Sequence, residues 1–274
     1  MQLFYTPDHA RVGDVIPYYE NGEFKLFYLK NWNPYFGSDK TYGWHLLTTK
    51  DLIHYESETA IGILGGTGCI IKVEGLYHLY YCVFEDQPQR QYVCHATSTD
   101  LTNWTKYPDE TFGPDESIYL LTDWRDPHVI WNEEEKCWWM ILCAQNQGNT
   151  KRRGCVGLCK SADLHHWTCC EPLYAPQSSM SAYECPDLFY MNGWWYLVFS
   201  QFTDRFQTLY RMSRSCNGPW IRPKTDSFDG RAFYAAKTCS DGEHRYIFGW
   251  NPTRTQNTWN FDPDPTHEGY DYKT

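Results

Sequence analysis

The sequence predicts an all-β fold, a five-bladed β-propeller taking up residues 1–274 as a single domain, and three observations predict it. An aromatic and aliphatic run opened by Gly or another turn residue returns five times, at intervals of about 50–60 residues. A second motif, an acid-Leu pair followed three residues later by an aromatic, alternates with the first. No long window keeps its apolar residues at a helical period, whereas aromatic and β-branched runs bounded by Gly, Pro, Asn and Asp recur throughout. A repeat of this size with several short strands per unit is the signature of a propeller built from four-stranded blades. The alternative is a two-sheet sandwich with coincidental spacing.

In chain order, the first motif begins as Gly22-Glu23-Phe24-Lys25-Leu26-Phe27-Tyr28, and its later copies occupy residues 75–81, 136–142, 193–199 and 242–248. The second begins as Lys50-Asp51-Leu52-Ile53-His54-Tyr55 and recurs as Thr99-Asp100-Leu101-Thr102-Asn103-Trp104 and Ala162-Asp163-Leu164-His165-His166-Trp167. Cys216-Asn217-Gly218-Pro219-Trp220 is a degenerate copy. Asp51, Asp100 and Asp163 recur from unit to unit, so they read as structural turn residues. His54, His165 and His166 lie in those same turns and are not expected to be metal ligands.

Composition narrows the partners. The formal net charge is −10 with no basic stripe, which argues against nucleic acid. The start, Met1-Gln2-Leu3-Phe4-Tyr5-Thr6-Pro7, has neither a basic region nor a long apolar run, so no signal peptide or membrane span is expected. The chain holds 12 Cys. Cys82, Cys137 and Cys143 sit inside strand-like runs, where they read as small buried apolar residues. Cys169-Cys170 and the pair Cys155 and Cys159 lack the matching half of a zinc site. Reduced cysteines and a cytoplasmic location are therefore expected, with no metal and no cofactor. The 13 Trp and 22 Tyr serve mostly packing, but rings of this kind also stack on sugar faces.

Three acids stand out against this repeat. Arg125-Asp126-Pro127 and Glu184-Cys185-Pro186 each precede an apolar strand-like run, and Asp14 precedes a third at residues 15–19. Carboxylates at the same phase of successive repeats converge if the repeats surround an axis. Converging carboxylates equip a site for glycoside hydrolysis, in which one attacks or guides water and another protonates the leaving oxygen. For each acid taken singly, a turn-capping role before a strand is the alternative.

At these residues the chain resembles glycoside hydrolase family 32, the invertase, inulinase and levanase group. Arg125-Asp126-Pro127 and Glu184-Cys185-Pro186 match that family's Arg-Asp-Pro and Glu-Cys-Pro motifs. Trp44 with residues 49–55, the segments 227–230 and 233–236, and Gly249-Trp250 are similar to its other landmarks. The first-blade motif is altered to Arg11-Val12-Gly13-Asp14-Val15-Ile16-Pro17, keeping the acid without its Asn and Pro neighbours. A Gln of the family is replaced around Leu29-Lys30, and its Ser-Gly-Ser segment reads Thr67-Gly68-Cys69. The β-sandwich that follows the propeller in the family is not expected within residues 1–274.

The resemblance implies a retaining mechanism with Asp14 as nucleophile and Glu184 as general acid and then base. It gives Asp126 the role of holding sugar hydroxyls and stabilising the transition state. Arg125 is expected to orient Asp126 through paired hydrogen bonds. Trp44, Trp124 and Trp250 are candidate walls of the sugar pocket, with packing as the alternative. Asp229 is a candidate ligand for a sugar hydroxyl, with a turn as the alternative. The expected partner is a small carbohydrate, sucrose or a short fructo-oligosaccharide. The competing functions are a related arabinofuranosidase or xylosidase, a non-catalytic sugar-binding propeller, and a fructosyl transferase.

Overall fold

The structure, a computed structural model, describes residues 12–30, 43–254 and 270–273 apart from 57, 88, 149, 204–205 and 231–232, together with residues 5, 7 and 10. It is an all-β propeller. The strands form five antiparallel sheets, each built from consecutive segments of chain. The first holds β1 (Val12–Glu20), β2 (Glu23–Lys30), β3 (Gly43–Thr49) and β4 (Thr59–Ala60). The second holds β5 (Gly68–Val73), β6 (Leu76–Asp86), β7 (Gln89–Ser98) and β8 (Thr105–Lys106). The third holds β9 (Tyr119–Asn132), β10 (Cys137–Asn146), β11 (Gly154–Ser161) and β12 (Thr168–Tyr174). The fourth is β13 (Tyr183–Met191), β14 (Trp194–Gln201) and β15 (Gln207–Ser213). The fifth is β16 (Tyr234–Ser240), β17 (Arg245–Arg254) and β18 (Tyr270–Lys273). Among the described residues the only helical element is a 3-10 turn at Pro108–Glu110, and no helix is long and apolar enough to cross a membrane.

The apolar core is divided among the contacts between successive sheets. On β10, Met140, Leu142 and Ala144 face a cluster shared with β6 and β7, while the intervening Trp139 and Ile141 face one shared with β13 and β14. On β6, Tyr77, Leu79 and Tyr81 pack toward the first sheet and Tyr80 toward the third. Alternate residues of a strand point to opposite faces, so a sheet covered on both faces reads as a continuous apolar run. Val12, Val15 and Phe24 meet Cys239, Tyr246 and Phe248, which joins the last sheet to the first. The first strands accordingly neighbour one another in a closed ring, β1 to β5, β9, β13, β16 and back to β1.

The acid-Leu motifs are turns, and they share one set of bonds. The hydroxyls of Thr49, Ser98 and Ser161 accept from the amides of Leu52, Leu101 and Leu164. Oδ1 of Asp51, Asp100 and Asp163 accepts from the amides two and three residues on. The Leu of each turn has a positive φ of 60–69°. This is the side-chain-to-backbone bonding by which Asp and Ser stabilise turns. The aromatic that ends the motif closes two of these turns, through Tyr55 Oη to the Leu52 carbonyl and Trp104 Nε1 to the Leu101 carbonyl.

Candidate active site

Four of the five first strands carry a β-bulge. In β1, Val12 pairs with Lys30 and Val15 with Tyr28, so Gly13 and Asp14 oppose Leu29 alone. In β9, Asp126 and Pro127 oppose Leu142; in β13, Cys185 and Pro186 oppose Phe199; in β16, Ala235 and Ala236 oppose Gly249. Asp126, Cys185 and Ala235, the first bulged residues, have φ of 57°, 49° and 51°. A bulge leaves residues outside the ladder and re-aims their side chains, and Pro, which has no N–H, fits there without losing a ladder bond. The Lys237 ammonium helps to hold the β13 bulge by donating to the Pro186 carbonyl at 3.1 Å.

The bulges bring the acids together, but not at one phase. Asp14 is the second residue of its bulge, Asp126 the first, and Glu184 directly precedes one. The expectation of a common phase is thus corrected. Convergence comes from the closed ring combined with three different bulge positions.

All three acids line one cavity of about 630 Å³ at the end of the ring, with residues from all five sheets in its wall. Carboxylate oxygens of Asp14 and Asp126 and the Cys185 sulfur lie within 4.8 Å of one another. Asp14 accepts from Trp250 Nε1 through Oδ1 at 2.8 Å and from the Thr67 hydroxyl through Oδ2. Asp126 is 4% exposed and accepts from the Cys185 amide at 2.9 Å. Glu184 accepts from the Arg125 guanidinium at 2.6 Å through one oxygen and from the Tyr234 hydroxyl through the other. Protein donors thus hold both oxygens of Asp14 and Oδ2 of Asp126.

The electrostatics follow from this crowding. Burial raises the Asp14 pKa, against the hydrogen bonds from Thr67 and Trp250 that lower it, and the Glu184 charge adds to the rise. Burial likewise pushes Asp126 up to about 6; Arg125 opposes the rise, while the charges of Asp14 and Glu184 reinforce it. Acids whose environments displace their pKa values mark a site for acid and base work.

A family model described as the glycosyl hydrolases family 32 N-terminal domain matches residues 15–269. The chain belongs to this family. A levanbiose-producing levanase of Bacillus subtilis is 26% identical over 86% of the chain and 45% of its own length. A sucrose-6-phosphate hydrolase of Escherichia coli is 28% identical over 76% of the chain and 48% of its own length. The chain thus spans about half the length of these curated relatives. Among solved structures, a family 32 β-fructofuranosidase from Bombyx mori superposes with a TM-score of 0.70 at 24% identity, covering 97% of this chain and 61% of that one. A fructan 1-exohydrolase from Cichorium intybus gives 0.72 at 17% identity, over 92% and 53%. At such identities these two establish the fold.

Within this family 32 domain the structure brings Asp14, Asp126, Glu184, Arg125 and Trp250 to the cavity. It takes three other candidates elsewhere. Trp44 and Trp124 are 1% and 0% exposed and pack in the clusters between sheets, so neither lines the cavity. Asp229 is an exposed turn residue whose carboxylate accepts from the amide of Gly230 at 2.6 Å, and it lies outside the cavity lining. Arg125 also differs from its expected role. Its guanidinium bonds Asp123 and Glu184 at 2.6 Å each and Gln91 at 3.2 Å, and approaches Asp126 only through Nε at 3.9 Å.

Sequence reasoning missed Asp123, Gln91, Phe206 and the role of Tyr234. Asp123 stands two residues before Arg125 on β9, on the same strand face, a spacing that could have flagged it. Phe206 stacks on Tyr234 at 4.0 Å and meets Trp250 edge-on at 5.6 Å, which makes an aromatic wall beside Glu184. That wall joins β16 and β17 to the loop before β15, a contact with no local sequence signal.

Proposed function

We propose that this chain is a five-bladed propeller glycosidase that hydrolyses β-fructofuranosidic bonds in a small carbohydrate, such as sucrose or a short fructo-oligosaccharide. Each of the five sheets counts as one blade, and the five apolar clusters between successive sheets support that count. The reading is carried by one observation: Asp14, Asp126 and Glu184 open on a single cavity, each with its own fixed hydrogen-bond donors.

Asp14 attacks the anomeric carbon, and its carboxylate becomes the ester of a glycosyl-enzyme intermediate. Glu184 gives its proton to the departing oxygen and then takes one from the water that cleaves the ester. Arg125 and Tyr234, one on each carboxyl oxygen, set the direction in which Glu184 presents that proton. Asp126 binds sugar hydroxyls and stabilises positive charge developing on the ring. The cavity volume suits a ligand of a few rings. The names of the relatives point the same way, as do a Bombyx mori neighbour recorded with sucrose and a Cichorium intybus neighbour recorded with 1-kestose. All twelve cysteines are free thiols, nine of them buried, which supports a reducing, cytoplasmic setting.

A second reading, a related arabinofuranosidase or xylosidase, rests on Leu29. It lines the cavity where the family resemblance has a Gln, and so removes a polar contact to the sugar. The test is a screen of the full chain against sucrose, sucrose 6-phosphate, inulin, levan oligomers and aryl arabinofuranosides, with the product anomer read by NMR. Fructose released with retained configuration is expected. Inversion, or cleavage of arabinofuranosides alone, overturns the fructosidase reading.

A further inference from the structure

We propose that His95, Glu110 and His165 form a binding site for a divalent transition metal, zinc by preference, which ties the second sheet to the third. The site is distinct from the cavity described above and independent of the proposed activity. His95 lies on β7, Glu110 ends the 3-10 turn Pro108–Glu110, and His165 belongs to the acid-Leu turn after β11. One oxygen of Glu110 is 2.5 Å from His95 Nδ1 and the other is 2.9 Å from His165 Nδ1. Taking one ligand atom from each residue, the three lie within 4.8 Å of one another, and no ion is present. Two imidazoles and a carboxylate with a fourth position left to water is a known zinc donor set, at bond lengths of about 2.0–2.2 Å. Glu110 now takes two imidazole contacts that a single cation would replace.

The surroundings fit that role. His95 is 3% exposed and is stacked between Tyr80 at 4.6 Å and Tyr107 at 5.2 Å, so its ring cannot turn away. Its second nitrogen, Nε2, is 3.0 Å from His78 Nδ1. Metal-ligating histidines characteristically bond a partner through the nitrogen that does not hold the metal, and that bond fixes the tautomer. His78 is therefore a positioning residue.

His165 is 38% exposed in its side chain, which leaves the site open to solvent. The equivalent turns show that this arrangement is particular. His54 and His166 bond Asp51 and Asp163 of their own turns at 2.7 and 2.8 Å, whereas His165 reaches out of its turn to Glu110 on the 3-10 turn after β8.

The test uses the full chain, stripped with chelator and dialysed, then titrated with zinc by calorimetry and with cobalt by visible absorption. One equivalent is expected to bind with a nitrogen and oxygen ligand-field spectrum that lacks a thiolate band. At zinc a hundredfold above Kd, Tm is expected to rise by roughly 5 °C or more. His165→Asn and Glu110→Gln are each expected to abolish stoichiometric binding. His78→Phe is expected to weaken it about 10–100-fold. Asp126→Asn is expected to leave it unchanged, which separates this site from the Asp14, Asp126 and Cys185 group. No stoichiometric uptake by the unsubstituted chain overturns the proposal, as does undiminished binding by folded His165→Asn or loss of binding in Asp126→Asn. Failure of either ligand variant to fold leaves the cobalt spectrum and the His78→Phe affinity to decide it.

Discussion

Replacing Asp126 by Asn is expected to abolish catalysis and at the same time to stabilise the fold at neutral pH. The pKa of this carboxyl is about 6, against an ordinary 3.8, and burial is the first cause. Because the folded-state value lies above the unfolded one, the folded protein holds the proton more tightly. The stability this contributes is fully present below about pH 4 and is lost as pH rises to about 6, so by pH 7 it is gone. At ~1.36 kcal/mol per pH unit the loss is about 3 kcal/mol. Asn cannot ionise and does not suffer it, and its carboxamide oxygen can still accept from the Cys185 amide, now 2.9 Å from Asp126. The difference between variant and parent should therefore grow from near zero at pH 4 to about 3 kcal/mol at pH 7, which is a Tm gain of roughly 6–10 °C for a chain of this size. Urea and thermal unfolding of both proteins at the two pH values measures it, and groups distant from Asp126 cancel in the comparison. A variant no more stable than its parent at pH 7 would refute the reasoning, and so would a gain that is the same at both pH values.

Four further outcomes are expected. Glu184→Gln and Asp14→Asn should each lower kcat for sucrose hydrolysis by at least about 10²–10⁴-fold with the circular dichroism spectrum unchanged, since a reacting group is lost without opening a cavity. Tyr234→Phe keeps the ring that stacks on Phe206 but removes the hydroxyl on Glu184, and should cost about ten- to a hundredfold in kcat/KM. Gly68→Ala would place a Cβ 1.7 Å from the Tyr80 carbonyl oxygen, pushing β5 and the adjoining Thr67 off β6. A fall in Tm of roughly 5–10 °C measured by calorimetry is expected. A thiol titration without reductant should count twelve thiols in denaturant and few in the native protein, because nine are buried; several stable disulfides would overturn the cytoplasmic reading.

The sequence alone determined the all-β class, the repeat, and the turns that punctuate it. Those features are local: the bonds around Asp51, Asp100 and Asp163 lie within five or six consecutive residues, and these three copies repeat them. It also picked out Asp14, Asp126 and Glu184, because two acidic tripeptides opening successive strands are visible without a partner strand. What it left open depends on neighbours far away in the chain. A strand buried on both faces reads as one apolar run, so nothing in the runs around Trp44 and Trp124 tells that these rings turn into the clusters between sheets. The bulges at Asp14, Asp126 and Cys185 exist only in the register with β2, β10 and β14. The contacts of Arg125 with Glu184 and Gln91 span 59 and 34 residues. Strand alternation fixes which face a residue takes, while closure of the ring decides what it meets there, and only the tertiary structure holds that second fact.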